Sequence, residues 1–585
     1  GAQRGGDAMS LKRFVPERDG VLLLALLLAL ALRLLLWSGP LHQPANDETE
    51  YIAVARDLLA GRGWQFYDHY HWLRAPLYPL WLAGSLWLAG DDLHRAALPN
   101  ILLSTATVWL NYRLALALLG RRAARAAALL TAVLWTLVTF ASLYMGETLF
   151  TFCFTAGLLC LVPGADDQRP TTDPSTGSGQ APSTRSGQAQ RQLATGDWRM
   201  MTGRIALAGL FFGLATLTRS ALMLFLPVVA LWLLVQMTTD DRRPTTDDRR
   251  FSWSAVSGRW SGALVFLLAA ALTIAPWTVR NYIAYGRFIA VETGLSYNLW
   301  AFNEPRESGN TIFRALENIP NPAERSDYAT AKGLARLRED PAILLRKLWP
   351  NWVALWRVKP IEDRFLQENY YGDVPLPLFA TALALDDALY FVIALAGIAG
   401  MGWYWARAAR SGWRGLLASQ AALHAGWLLY TAATIMLTHG EGRYRHFLFP
   451  VLMPYAAWLL VGRHEAGDRR QETGDRRQEK RGGEEGRRQK TGDRRHETAS
   501  VSSSSVLRPS SVAPLALLPL AALVGVTFLL AYPWGWAAQN LARGWAAQRA
   551  DIAWARGDTT GALALDTEAI HAQETPDGWL RLGAH

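Results

Sequence analysis

Asp47, Glu48 and Glu50 fall within four positions of one another in "PANDETEYIAVARDLL". This stretch follows an apolar run from Val21 to Trp37, about the length that crosses a bilayer core of ~30 Å. Ionisable groups close to membrane depth are expensive, so they pair, line a wet cavity or do work. The same first loop adds Asp68, His69, His71 and Arg74. Similar groups recur at the ends of later apolar runs: Glu147 in "SLYMGETLF", Arg219 in "LATLTRSALMLFLP", Arg280 and Asn281 in "PWTVRNYIAYG", and Glu441, Arg443, Tyr444 and Arg445 in "THGEGRYRHFLFP". Arginine holds phosphate through paired, charge-assisted hydrogen bonds. A carboxylate beside an acceptor hydroxyl can serve as general base, which typically contributes ~10²–10⁴-fold. The combination is the inventory needed to move a group from a lipid phosphate at the membrane interface. Each member also has a plainer reading. Asp47 and Glu48 can cap a helix starting near Thr49, Glu147 can open the span at Thr148, single arginines can be interfacial anchors, and His69 and His71 can be loop aromatics. What favours chemistry is their joint occurrence on one face.

That face depends on how the elements cross the membrane. Half of the 585 residues are hydrophobic and 26 are Trp, in blocks of membrane-spanning length, so the expected fold class is all-α and polytopic. The formal charge of +10 is no nucleic-acid signal, because the Lys/Arg excess lies between apolar blocks, where it reports orientation. With the N-terminus inside, eleven spans place every basic linker on the cytoplasmic side: 21–37, 96–119, 126–143, 147–163, 204–218, 221–237, 262–279, 388–405, 415–437, 446–462 and 513–532. Residues 76–90 are short for a span and carry prolines, so they read as a juxtamembrane or re-entrant element in the first outer loop. The acids and arginines above then gather on the outer face.

The expected organisation follows from these crossings. Residues 1–20 form a cytoplasmic N-terminus, with Lys12, Arg13 and Arg18 ahead of a signal-anchor run and Met9 as a candidate start. A membrane core, 21–163, contains the first outer loop 38–75. A helical pair covers 204–237, and a second part of the core, 262–462, contains the large outer loop 280–387, whose "EDPAILLRKLWPNWVALWRVKP" has an amphipathic pattern suited to the bilayer surface. The polar, low-complexity stretches 164–203, 238–261 and 463–512 read as disordered cytoplasmic linkers. A last span, 513–532, leads to an outer tail, 533–585, resembling one tetratricopeptide-like helical pair, which must pack on the protein or a partner. The two cysteines, Cys153 and Cys160, lie seven apart in one apolar block and read as packing residues.

The motifs "NDETEYIAVARDLLAGRGW", "RAPLYPLWLAG", "LYMGETLFTF", "LTRSALMLFLP", "PWTVRNYIAYGRF" and "GRYRHFLFPVLMPY", in this order, resemble the glycosyltransferase C superfamily. They are most similar to the branch of family-39-like transferases, protein O-mannosyltransferases and lipid A aminoarabinose transferases. The resemblance covers about 20–460 apart from the linkers. It implies a polyprenyl-phosphate sugar donor, a lipid, glycan or protein acceptor, direct attack with inversion, and a plasma-membrane enzyme whose site faces outward. The catalytic acid falls on Asp47 with Glu48 beside it, and Glu147 matches the second acidic position. Arg74, Arg219, Arg280, Arg443 and Arg445 become candidates for the donor phosphate, and Tyr51, Tyr78, Asn281 and Tyr444 for substrate contact. A divalent metal ion is left open as a cofactor, with Asp47, Glu147, His69 and His71 as candidate ligands. The chain departs from the common "R-P-P-L-Y-P" with "RAPLYP" and from "L-T-R-P" with "LTRS", keeping the arginine in both. The rival class is a transporter or flippase of lipid-linked sugars. That class is expected to show internal repeats or helices broken at the midplane, and no such repeat is visible.

Overall fold

The computed structural model describes residues 19–39, 44, 47–64, 72–162, 185–240, 253–356, 376–408, 412–461, 517–532, 534–572, 574, 578–579 and 582–583. The expectations for 1–18, for Asp68, His69 and His71, for the linker 463–512, and for much of the other two linkers lie outside the described residues. The fold is all-α, and no strand occurs among the described residues. The chain is a multi-pass membrane protein. Four helical segments, Gly20–Trp37, Leu93–Leu119, Ser261–Tyr285 and Ala384–Ala408, are long and apolar enough to cross a bilayer by length and composition. Shorter apolar helices such as Glu147–Leu161 and Phe449–Val461 pack among them around one large buried cluster.

In chain order, the first region contains α1 (Gly20–Trp37), α2 (Asp47–Leu59), α3 (Leu77–Ala89), α4 (Leu93–Ala96) and α5 (Leu98–Leu119). Asp19 caps α1 by accepting from the Val21 amide (3.1 Å) and also receives Tyr112 Oη (2.9 Å) and Arg125 Nε (3.0 Å). One acid thereby ties the first turn of α1 to α5 and α6. Residues 76–90 form the short α3, which packs against α2 and leaves Leu80, Trp87 and Leu88 on its outside, an arrangement suited to a juxtamembrane element.

The expected span 126–143 is not one helix. α6 (Arg121–Val133) stops at Leu134, whose backbone is extended (φ −62°, ψ 108°), and the short α7 (Trp135–Phe140) follows. A break at membrane depth leaves backbone groups that other parts of the protein must satisfy. Arg33 of α1 donates to the carbonyl of Ala132 (3.2 Å) at the carboxyl end of α6. Asp386 accepts the amide of Thr136 (2.8 Å) at the amino end of α7. Each charge opposes the helix-end dipole it faces. Ser104 of α5 bridges the two sides, receiving Arg33 Nε (2.8 Å) and donating to Leu137 O (3.2 Å).

Beyond the break lie α8 (Glu147–Leu161), α9 (Arg185–Thr218), a 3-10 turn (Ser220–Phe225), α10 (Leu226–Asp240) and α11 (Trp253–Tyr285). α9 starts inside the stretch read as linker from composition. Gly209 and Gly213 let α9 lie directly on α11: a Cβ at Gly209 would stand 2.4 Å from the Phe266 carbonyl oxygen. Small residues four apart commonly permit such contact between membrane helices. The outer loop holds α12 (Gly294–Ala301), α13 (Gly309–Glu317), α14 (Pro322–Glu339) and α15 (Ile343–Trp356). Next come α16 (Leu376–Ala408), α17 (Gly412–Ala418), α18 (Gln420–Leu437), a second 3-10 turn (Gly442–Phe447), α19 (Phe449–Val461) and α20 (Leu517–Ala531). The tail folds as the helical pair α21 (Trp534–Ala555) and α22 (Thr559–Ala572), packed on each other, with α21 also against α16.

Candidate active site

Five separate segments meet around the first turn of α2. Asp47 lies at the helix start, where acids are favoured by the exposed amides. Its Oδ1 accepts Arg74 Nη2 (2.8 Å) and its Oδ2 accepts Arg443 Nη1 (2.7 Å). Arg74 also pairs with Glu50, and Arg443 with Glu441. Glu441 in turn meets His439 Nε2 (3.2 Å). Arg219, on an extended residue between α9 and its 3-10 turn, donates to Glu147 Oε1 (2.5 Å) at the start of α8. The ring of Tyr51 lies under Arg74 (5.5 Å) and edge-on to Tyr78 (5.0 Å). Tyr444 lies beside Arg443 (5.8 Å from Cζ to the ring).

Burial pushes the Asp47 carboxyl up, but Arg74, Arg443 and Arg219 outweigh it and hold the group well below the usual carboxylate range. Glu50 behaves in the opposite way. Burial raises it to about 7, against the pull of Arg74 and with the Asp47 charge adding to the rise. Burial also pushes Glu441 up, yet His439 and Arg443 bring it down to about 2. The cluster therefore holds Asp47 ionised and leaves Glu50 to titrate near neutrality.

The Glu50 shift carries a pH prediction. The folded protein binds this proton more tightly than the unfolded chain, so the associated stability is fully present below the ordinary value of 4.5 and is lost as pH rises through about 7. Melting temperature in detergent should fall over that window. Glu50→Gln, neutral at every pH, should lose that part of the slope; an unchanged slope would mean that another group titrates there.

The structure distributes the remaining candidates differently. Glu48 is buried and its Oε1 accepts the Tyr144 amide (2.9 Å), which ties α2 to the turn before Glu147. Arg445 points away from Asp47. In a 3-10 turn residues two apart face different sides, and Arg445 donates to Thr136 Oγ1 (3.1 Å), approaches Asp386 (3.9 Å) and lies over Tyr390 (4.4 Å). Arg280 binds Tyr285 Oη (2.9 Å) and packs on Trp277 rather than meeting the carboxylates. Asn281 is spent on the Ile289 carbonyl (3.2 Å). Tyr78 receives Asn100 Nδ2 (3.3 Å).

Both Asp47 oxygens and Glu147 Oε1 are taken by arginines, and no group of three or more His, Cys, Asp or Glu is placed to hold a cation among the described residues.

Sequence reasoning overlooked the segment that frames Arg74. Thr293 donates its amide to Leu73 O (3.0 Å) and accepts the Leu73 amide on Oγ1 (2.9 Å). Glu292 accepts the Ala75 amide (3.2 Å) and also bonds Ser220 Oγ. Trp72 packs against Tyr297 with the rings tilted by 31° (4.4 Å between centroids). The only sequence signal was a lone acid in the polar stretch "VETGLS", where no apolar context makes it conspicuous.

Residues 73–173 match the model of the dolichyl-phosphate-mannose-protein mannosyltransferase family. None of the curated proteins matches. Among solved structures, the archaeal oligosaccharyltransferase AglB from Archaeoglobus fulgidus, in complex with an inhibitory peptide and a dolichol-phosphate, is 15% identical with a TM-score of 0.41, over 89% of this chain and 55% of that one. ArnT from Cupriavidus metallidurans bound to undecaprenyl phosphate is 14% identical with a TM-score of 0.39, over 97% of this chain and 77% of that one. The chain thus spans little more than half the length of the AglB chain that it matches. Over the segment that carries Arg74, Tyr78 and Glu147, the chain is thus similar to the dolichyl-phosphate-mannose-protein mannosyltransferase family.

Proposed function

We propose that the chain is a membrane glycosyltransferase that moves a sugar from a polyprenyl-phosphate donor to an acceptor hydroxyl at the outer face of the plasma membrane. The observation that carries this reading is the pinning of Asp47 between Arg74 and Arg443, with Arg219 and Glu147 beside them. A lipid phosphate entering the cluster competes for the guanidinium groups that now hold Asp47. Binding thereby releases the carboxylate, raises its basicity and leaves it next to the acceptor. The acceptor oxygen attacks the anomeric carbon, its proton passes to Asp47, and the bond to the phosphate oxygen breaks. The leaving polyprenyl phosphate keeps the electron pair and is stabilised by the arginines. Direct displacement inverts the anomeric centre. Arg219 Nε and Glu147 Oε2 are buried without a partner, and a buried polar atom in that state calls for an explanation. A bound donor and acceptor supply one. The family match to enzymes named for a lipid-phosphate sugar supports the same donor class.

The test uses the full chain in liposomes with a polyprenyl-phosphate hexose. Transfer predicts acceptor-dependent release of polyprenyl phosphate. The transporter alternative predicts lipid crossing the bilayer with its glycosidic bond intact, and that result would replace this reading. Orientation is checked separately in cells. A cysteine placed at the exposed Thr311 should react with an impermeant maleimide from outside; protection there would put the cluster on the cytoplasmic face.

A further inference from the structure

Glu292 touches none of the arginines, yet it reaches the residue directly after two of them. Oε2 accepts the amide of Ala75, next to Arg74 (3.2 Å), and Oε1 bonds the hydroxyl of Ser220, next to Arg219. Its neighbour Thr293 holds Leu73 through two further hydrogen bonds. The segment 292–293 therefore grips the stretch bearing Arg74 on both sides of that residue and links it to the bend bearing Arg219. Arg74 and Arg219 serve different carboxylates, Asp47 with Glu50 and Glu147 respectively, so no ion pair between them fixes their spacing. The carboxylate of Glu292 directly bridges the backbone amide after Arg74 and the side-chain hydroxyl after Arg219.

The two donors are also the two positions where the chain departs from the motifs it resembles. Proline, the common residue at both, has no amide N–H and no hydroxyl. Here Ala75 contributes an amide and Ser220 a hydroxyl, and both go to one carboxylate. We propose that Glu292 is a positioning residue that sets the distance between Arg74 and Arg219, and so the register in which the cluster receives a lipid phosphate. This rests on the transferase reading above. It concerns donor use: the acceptor should be little affected, because Glu292 contacts neither Asp47 nor Glu147.

The experiment is a double-mutant cycle on the full chain, with a polyprenyl-phosphate hexose as donor. Misplacement of about 1 Å can cost roughly 10²-fold. Glu292→Ala should therefore lower kcat/KM for the donor by about 10–100-fold, with the acceptor KM unchanged and the melting temperature close to wild type. Ser220→Ala removes one donor without disturbing the backbone. On that background Glu292→Ala should cost several-fold less, since coupled residues in contact do not add. Glu292→Gln, which keeps one acceptor oxygen, should recover part of the loss. Full activity in Glu292→Ala, or strictly additive losses in the cycle, would overturn the proposal. Hydrogen exchange separates this failure from failure of the transferase reading. If wild type releases no polyprenyl phosphate, that reading falls. The bridge itself still predicts faster exchange at the Ala75 amide in Glu292→Ala, and unchanged exchange there would remove the bridge as well.

Discussion

Asp47→Asn should lower turnover by roughly 10²–10⁴-fold while donor binding persists. The amide keeps the size of the carboxylate and one acceptor oxygen for Arg74 or Arg443, but it cannot take a proton. A purely structural Asp47 would behave otherwise, because Asn starts a helix about as well as Asp and turnover would then be nearly unchanged. The low proton affinity of Asp47 in the free protein is no objection. It results from Arg74, Arg443 and Arg219, the groups that a donor phosphate would engage. Three companions locate the base if the choice is wrong. Glu50→Gln tests the neighbour whose proton leaves near neutrality. Glu147→Gln weakens the pairing with Arg219. Glu48→Gln keeps an acceptor for the Tyr144 amide and should leave turnover almost intact. An active Asp47→Asn with an inactive Glu50→Gln moves the base by three residues and keeps the mechanism. Normal turnover in all four would favour the transporter reading.

Residues that clash with their surroundings were legible in the sequence. Glu147, Arg219 and Arg443 stand at the ends of apolar runs, where a charge needs a reason, and the structure pairs each with an opposite charge. Residues that act on distant backbone were not legible. Glu292 sits in an ordinary polar loop, and nothing in "VETGLS" says that it reaches Ala75 and Ser220 across 217 and 72 positions. Arg445 and Arg443 look equivalent in "GRYRHF", but the 3-10 turn sends them to different partners. The break at Leu134 was hidden for the same reason. Its sequence, "TAVLWTLV", has neither Pro nor Gly, and the break is held by Arg33 and Asp386 from distant helices. Arg33 is a single charge inside the apolar run 21–37, and Asp386 lies just outside the span read as 388–405.

That break supplies the second large effect. Asp386 receives the Thr136 amide (2.8 Å) and hydroxyl (2.5 Å), and the same hydroxyl accepts Arg445 Nη2 (3.1 Å). Both ionisable partners are almost fully buried, at 2% and 3% exposure. Asp386→Ala leaves Arg445 without the Asp386 charge and the Thr136 amide in the first turn of α7 without this acceptor. Removing one partner of a buried pair costs about 3–5 kcal/mol, far more than an ordinary surface change, and should appear as a large fall in melting temperature in detergent. Asp386→Asn should cost less, because its carbonyl oxygen can still accept the Thr136 amide while only the charge is lost. Combining Asp386→Leu with Arg445→Met should recover much of the loss, since an apolar pair of similar volume removes the stranded charge. Recovery should remain incomplete, because the Thr136 amide stays unsatisfied at about 1–3 kcal/mol. Activity should fall with stability in the single variants, because Arg445 anchors the turn that presents Arg443 to Asp47. If Asp386→Ala melts within about 1 kcal/mol of wild type, the helix break is held by something other than this carboxylate, and the support it lends to the Arg443 side of the site is lost with it.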